Sequence, residues 1–474
     1  REGGSGGGNE GPFQKSIREE DEDGMRGYCR IFTEMSESYL SLILSHEEMN
    51  QESLVELVLR CSGITDKEIA GITLHFWYRF VMGLEELEPF EYRQVRIDGF
   101  APQLHRLLGV CSRLLRYPMD VEDYSPDGLD DAEGVRAYFA DTIEDCCRLL
   151  GGEAVLRSTG DALRAECGRV AALPPDGRGG EWHGIEAYLY AIQAVSLYVP
   201  PDETDVLPFV MGLVPQLPDV PLLRATACRT VGRYASWLGM QPAYLRPLLP
   251  YLAQGLSMPR CAAASAVAIR EICERCDSLG DSVLQLYEGI VVARQQHANN
   301  SLASGGGGGG EDFVLDLKNE LEVLEGVCKA VSNKLATEPS IANRLAQPIM
   351  NNLKAMAAPE SNPAPKLILA EVCRLTTLVR YLRPPRLSPQ QAPGILNRSD
   401  FILGLMRECW PMLDAVSKKQ PRDFNCGEKL CRLHKHALRE CGQLHYLPLL
   451  QPLVEQTVQN FGLSLSSPYL YLAS

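Results

Sequence analysis

The sequence has no apolar run of 18 residues, the length that crosses a bilayer as a helix, so no membrane span is expected. It has almost no sustained alternation of apolar and polar residues, which excludes a sheet as the organising element. Its 46 Lys and Arg are outnumbered by 61 Asp and Glu, and a formal charge of −15 makes direct binding of nucleic acid unexpected. Aromatic residues make up only 7% of the chain and there are eight His. No Ser-His-Asp set or carboxylate pair stands close enough in sequence to suggest catalysis, and no enzyme activity or cofactor is expected. No secretory signal is seen after Arg1, and a start without Met reads as a piece of a longer protein.

What the chain does have is length, small residues and helical periodicity. Its 474 residues are 45% hydrophobic, too many for one ordinary compact domain and enough for an elongated array. The 16 Cys are scattered, mostly at apolar positions of helical segments such as Cys29, Cys61, Cys111, Cys228, Cys328 and Cys373. This is the distribution of reduced, buried thiols in an intracellular protein, not of a disulfide framework. Glycine is concentrated in low-complexity breaks. Residues 1–24 read as a Gly-rich acidic segment and 301–311 as a flexible insertion; HEAT-type helix pairs fill 25–300 and 312–474. The six glycines at 305–310 are followed by Glu311 and Asp312, where a phosphate loop needs Lys and Ser or Thr.

Between the breaks, helices pair across short turns. Proline with apolar residues at +2 and +5 recurs near the expected starts of first helices: Pro102/Leu104/Leu107, Pro208/Val210/Leu213, Pro247/Leu249/Leu252 and Pro348/Met350/Leu353. The interval from Pro208 to Pro247 fits a two-helix repeat of ~40 residues. The segment AAASAVAIREICERC, 262–276, shows why stacking is needed. Ala262, Ala266, Ile269, Cys273 and Cys276 form one apolar stripe, and Ala263, Ala264, Val267, Ala268 and Ile272 widen it beyond a single face. A helix so coated touches its partner and both neighbouring repeats, leaving Arg270, Glu271, Glu274 and Arg275 as a ridge. The expected fold is all-α: an α-solenoid of roughly nine HEAT-type pairs wound as a right-handed superhelix.

Three constellations are read as structural. Cys426, Cys431, His434, His436 and Cys441 lie on one expected helix, where His434 and His436 point about 200° apart. Buried thiols and surface histidines are expected there, not zinc. Cys273 and Cys276 end a helix, the wrong place for a redox pair. Trp182, His183 and Glu186 begin a helix, with Trp182 packed and His183 exposed.

The acidic runs carry the functional expectation. Glu19, Glu20, Asp21, Glu22 and Asp23, then Asp120, Glu122, Asp123, Asp130 and Asp131 (with Asp127), then Asp202, Glu203 and Asp205 are expected in loops that attract a basic protein partner.

An ordered series of segments resembles one family. These are YCRIFTEMSESYLSLIL (28–44), ITLHFWYRF (72–80), WHGIEAYLYAIQAVSLYV (182–199), PLLRATACRTVGRYASWL (221–238), YLRPLLPYLAQGL (244–256) and SSPYLYLAS (466–474). Their order resembles consecutive repeats of the transportin-SR/importin-13 branch of the importin-β (karyopherin) superfamily. The resemblance implies a curved solenoid that binds protein cargo on its concave face. The cargo would be basic or phosphorylated Arg-Ser-rich proteins such as splicing factors, carried past nucleoporin FG repeats and released by Ran-GTP. It implies a monomer shuttling between nucleus and cytoplasm, with the Ran-binding repeats before Arg1 and the family's arginine-rich cargo helix after Ser474. The Gly-rich insertions and the acidic loop at 120–134 depart from the family pattern. The other reading kept open is a HEAT scaffold or regulatory subunit unrelated to Ran.

Overall fold

The computed structural model describes residues 11–45, 54–174, 177–178, 180–303, 314–383, 398–420 and 422–473. The glycine run at 305–310 and most of the proline-rich loop at 383–394 lie outside them. Among the described residues every regular element is helical, and the chain divides into two compact units, residues 1–230 and 231–474.

In the first unit α1 (Pro12–Arg18) packs on α2 (Glu22–Ser38), which continues past a break as α3 (Leu40–Ser45). Next come α4 (Leu54–Ser62), α5 (Lys67–Gly71) and α6 (Leu74–Glu85). The pairs α7 (Phe90–Leu114) with α8 (Pro126–Leu150), and α9 (Gly152–Ala171) with α10 (His183–Ala194), follow, then α11 (Val206–Leu213) and α12 (Pro221–Arg233). The second unit takes up with α13 (Ala235–Met240). It is built from α14 (Leu245–Gly255) with α15 (Ala262–Arg275), α16 (Gly280–Ala303) with α17 (Leu317–Val331), and α18 (Ser340–Ala357) with α19 (Pro365–Tyr381). The last pairs are α20 (Arg398–Lys419) with α21 (Phe424–Cys441), and α22 (Gln443–Ser464) with α23 (Ser467–Ala473).

Lateral packing is the mark of the fold. Second helices touch second helices (α6 with α8 and α8 with α10 in the first unit; α15, α17, α19, α21 and α23 in the second), and first helices do likewise, as in α18, α20 and α22. This is an α-solenoid. Many helices start at a readable cap. Asp21, Asp66, Ser125, Asp316 and Asp423 each accept a backbone N–H of the first turn, and Pro126 and Pro365 sit where a missing N–H costs nothing.

Helix α15 behaves as its sequence requires. It packs against its partner α14 and against α13 and α17 on either side. The approach is close enough to exclude side chains. A Cβ at Gly232 would sit 2.9 Å from Ala268 Cα, and one at Gly326 would sit 2.8 Å from Arg270 Cα. The polar ridge is used sideways: Arg270 pairs with Glu322 at 3.2 Å and Glu274 with Lys329 at 3.4 Å, while Glu271 turns to Arg270.

Three expectations are corrected. The acidic segment is folded from Pro12 onward, because Phe13 is buried against Tyr28 and Phe32, with ring centroids 5.8 and 5.3 Å away. The acidic stretch 120–134 is not all loop: α8 begins at Pro126, where Asp127 is favoured beside the positive helix start. The recurrent prolines Pro102 and Pro348 lie well inside α7 and α18, not at their starts. Each removes one N–H from the helical ladder at that point.

These contacts set a stability test. Gly326→Ala drives a methyl into the α15 backbone and should cost about 1–3 kcal/mol. Gly99→Ala, in an open position of α7, should instead gain about 0.5–1 kcal/mol. Chemical denaturation of both variants checks the contrast.

Candidate partner surface

The three acidic runs all lie in the first unit, and the structure gives them different roles. Glu19 ends α1 and pairs with Arg18 at 3.1 Å, Glu20 takes the left-handed conformation in the turn (φ 54°), and Asp21 caps α2. Glu22 and Asp23 form the first turn of α2, so this run is a helix start and not a loop. Glu203 is also structural: its carboxylate accepts the N–H groups of Asp205, Val206 and Leu207 at 2.7–2.8 Å. Asp205 pairs with Arg164 at 2.8 Å, and Asp202 is exposed in the preceding turn.

The middle run is the one left open. Asp120, Glu122 and Asp123 flank or form a short 3-10 turn, and Asp127, Asp130 and Asp131 project from the start of α8; all six are exposed, with no cation against them among the described residues. Sequence reasoning missed how far this surface runs. At 100° per residue, Asp127, Asp130, Asp131, Tyr138, Asp141 and Asp145 share one face of α8. The spacing that shows this was available, but the helix was expected to begin only at 135. Burial, reinforced by Asp141, Glu144 and Glu85 against the opposing pull of Arg148, pushes the Asp145 carboxyl up to about 6. Residues 1–230 hold 40 acidic against 21 basic side chains, a net −19, whereas residues 231–474 hold 21 against 25, a net +4. The whole-chain charge of −15 thus conceals an acidic unit beside a slightly basic one.

Beneath this surface lies a buried polar chain. Arg136 on α8 donates to Glu186 on α10 at 2.5 Å and to the Leu115 carbonyl at 2.5 Å, and its guanidinium stacks 3.6 Å over the Tyr117 ring. Glu186 also accepts from Thr226 of α12 at 2.6 Å. Glu186 is therefore an interhelix tie. His183 is buried, stacked on Trp182 at 3.9 Å with Nδ1 3.1 Å from the Gly180 carbonyl, which corrects its expected exposure.

The expected surface position of His434 is also corrected. It is buried against Tyr446 and Trp410, and burial lowers its imidazole to about 4. The thiols of α21 diverge: Cys426 reaches the Pro365 carbonyl and Cys441 the Ser399 carbonyl. Cys273 is buried, its thiol pushed up to about 12 by desolvation, and the Cys276 sulfur lies 4.0 Å from the Ala235 carbonyl.

Three family profiles match in order: the Transportin-3/Importin-13 second TPR domain over residues 20–113, the third over 204–288 and the fourth over 402–474. Together they cover more than half of the chain. The chain belongs to the transportin-3/importin-13 branch of the importin-β family. That family consists of transport receptors, not enzymes. Transportin MOS14 of Arabidopsis thaliana is 25% identical over 477 residues, spanning 96% of this chain and 46% of that protein. Human Importin-13 is 26% identical over 278 residues, 56% of this chain and 28% of its own. The mRNA transport regulator MTR10 of Saccharomyces cerevisiae is 22% identical over 403 residues, 82% of this chain and 38% of its own. The chain thus spans less than half the length of these relatives. Importin-13 in its cytosolic state superposes with a TM-score of 0.75 at 19% identity, over 97% of this chain and 52% of that one.

Two outcomes test the site's energetics. Glu186→Ala strands a buried guanidinium and should cost about 3–5 kcal/mol in denaturant unfolding. Asp145 has a folded-state pKa above its unfolded value, so its contribution is fully present below pH 4 and is lost as pH rises through about 6. Asp145→Asn should therefore raise the unfolding midpoint more at pH 8 than at pH 5.

Proposed function

We propose that this chain is a central part of a nuclear transport receptor that carries basic protein cargo, Arg-Ser-rich splicing factors among them, and releases it on binding Ran-GTP. The observation that carries this reading is the ordered match to the second, third and fourth domains of one receptor family on a solenoid of the importin-13 type. In this reading further repeats flank the chain, and the receptor shuttles between cytoplasm and nucleus through FG-repeat nucleoporins.

The acidic unit supports the cargo side of the proposal. The carboxylates of 120–131 stand open, and the acidic face continues along α8 to Asp145, which pairs with Arg148 at 2.9 Å. Such a field speeds encounter with a basic partner and fades with salt. Exchange between cargo and Ran-GTP needs no chemistry in this chain. It needs two ligands that favour different arrangements of the repeats, so that each lowers the affinity of the other.

The complete receptor should bind Ran-GTP in preference to Ran-GDP in a pull-down, and Ran-GTP should displace a bound phosphorylated Arg-Ser peptide. Strengthening of cargo binding by Ran-GTP would mark an exporter. Equal binding of the two nucleotide states would end the Ran-linked reading.

A further inference from the structure

The second unit carries a surface of opposite character. Helix α21 holds Lys429, Arg432, Lys435 and Arg439 on one broad face. Glu428 on the same face pairs with Arg432 at 2.6 Å and Lys429 at 3.5 Å, and Glu440 is held by Arg398 and Arg383, so the ridge keeps a net positive charge. Arg380, near the end of α19, extends the patch: burial, then the guanidiniums of Arg380, Arg439 and Arg432 against the opposing pull of Glu440, keep the His436 imidazole below its ordinary value. Next to this ridge runs a groove between α21 and α23, whose lining includes Phe424, Glu428, Arg432, Lys435, Tyr471 and Leu472, the Glu428 carboxylate being engaged by Arg432. Its aromatic walls are open, Phe424 being 52% and Tyr471 72% exposed, and the Lys435 ammonium lies 4.6 Å over the Tyr471 ring. Past Gly442 the sequence has one charged residue, Glu455. The surface therefore passes abruptly from basic to uncharged and apolar.

We propose that this groove docks an extended acidic peptide segment of a partner protein, its carboxylates along the α21 ridge and an apolar side chain between Phe424 and Tyr471. The ridge cations are strung over ~15 Å, about one per helical turn, a spacing that suits successive carboxylates on one side of an extended strand. A single phosphate would need its donors to converge on one point, and these do not. A nucleic-acid strand needs a basic track that continues with its backbone, and this one stops where α22 begins. An amphipathic acidic segment meets both halves of the surface.

The proposal is independent of the transport reading, because its test uses neither Ran nor basic cargo. The probe is a fluorescein-labelled peptide of alternating Glu and Ser with two central Phe, titrated with the whole chain and followed by anisotropy. Binding should be saturable and should weaken as salt rises from about 50 to about 300 mM. The double variant Arg432→Glu/Lys435→Glu should weaken it at least about tenfold, a change near 1.4 kcal/mol. Lys435→Gln, milder toward the fold, should weaken it in the same direction, as should Tyr471→Ala. Asp127→Lys on the other unit should leave it unchanged. Equal binding of a peptide with Gln for Glu, unchanged affinity in both α21 charge variants, tighter binding of a short oligouridylate than of the peptide, or absence of saturable binding would each overturn the proposal.

Discussion

The structure depends on a packing constraint: a second helix in a stacked repeat must fit three neighbours at once. Helix α15 shows how this is met. Ala262, Ala266 and Ala268 are buried, and Gly232 and Gly326 on the flanking helices remove the atoms that would otherwise collide with its backbone. Short side chains allow close approach, and close approach buries the apolar stripe on every side. The polar residues left over are displaced to a narrow ridge, where they can only reach sideways. That is why Arg270 and Glu274 find partners on α17 and not on their own helix partner α14.

The same constraint explains the buried ion pairs. Arg136 reaches Glu186 50 positions later, and Glu320 meets Arg374 54 positions later, each joining the second helices of adjacent pairs. Glu320 also pairs with Arg294, and Glu371 with Arg374 at 2.8 Å. A buried pair adds little net stability over an apolar substitute, but it tolerates no shift in alignment. In a fold whose interfaces are otherwise small and apolar, such pairs fix which residue of one helix faces which residue of the next.

Helix existence and pairing were largely legible from periodicity. The bounds of α21 follow from apolar spacing and the Asp423 cap, and those of α18, which has no side-chain cap, from apolar spacing alone. What escaped the sequence depended on neighbours. The break at Tyr39 has no proline or glycine to announce it, and the one at Tyr234 follows a glycine, Gly232, that serves close packing against α15. The start of α8 was hidden because an acid-rich run reads as solvated loop, although Ser125 and Pro126 mark a helix start. His183 and His434 looked like surface residues because only the fold supplies Trp182 stacking and the Tyr446 hydroxyl. The acidic runs were legible as charge, but not as a capping carboxylate in one place and an open face in another. The segregation of charge between the units was masked by a single net figure.

The interhelix ties also divide the array into cooperative blocks. In a linear stack each repeat senses only its neighbours, so the length over which unfolding propagates depends on how strongly each seam is sewn. Helices α8, α10 and α12 are sewn by one continuous polar chain through Glu186, and α17 and α19 by another through Glu320. Between α21 and α23 the corresponding contact is an aromatic one, with Tyr469 packed over Gly427. Local opening should therefore travel in steps of two or three repeats, halting at seams held only by apolar contact. A solenoid sewn unevenly bends unevenly, with its compliance gathered at a few seams.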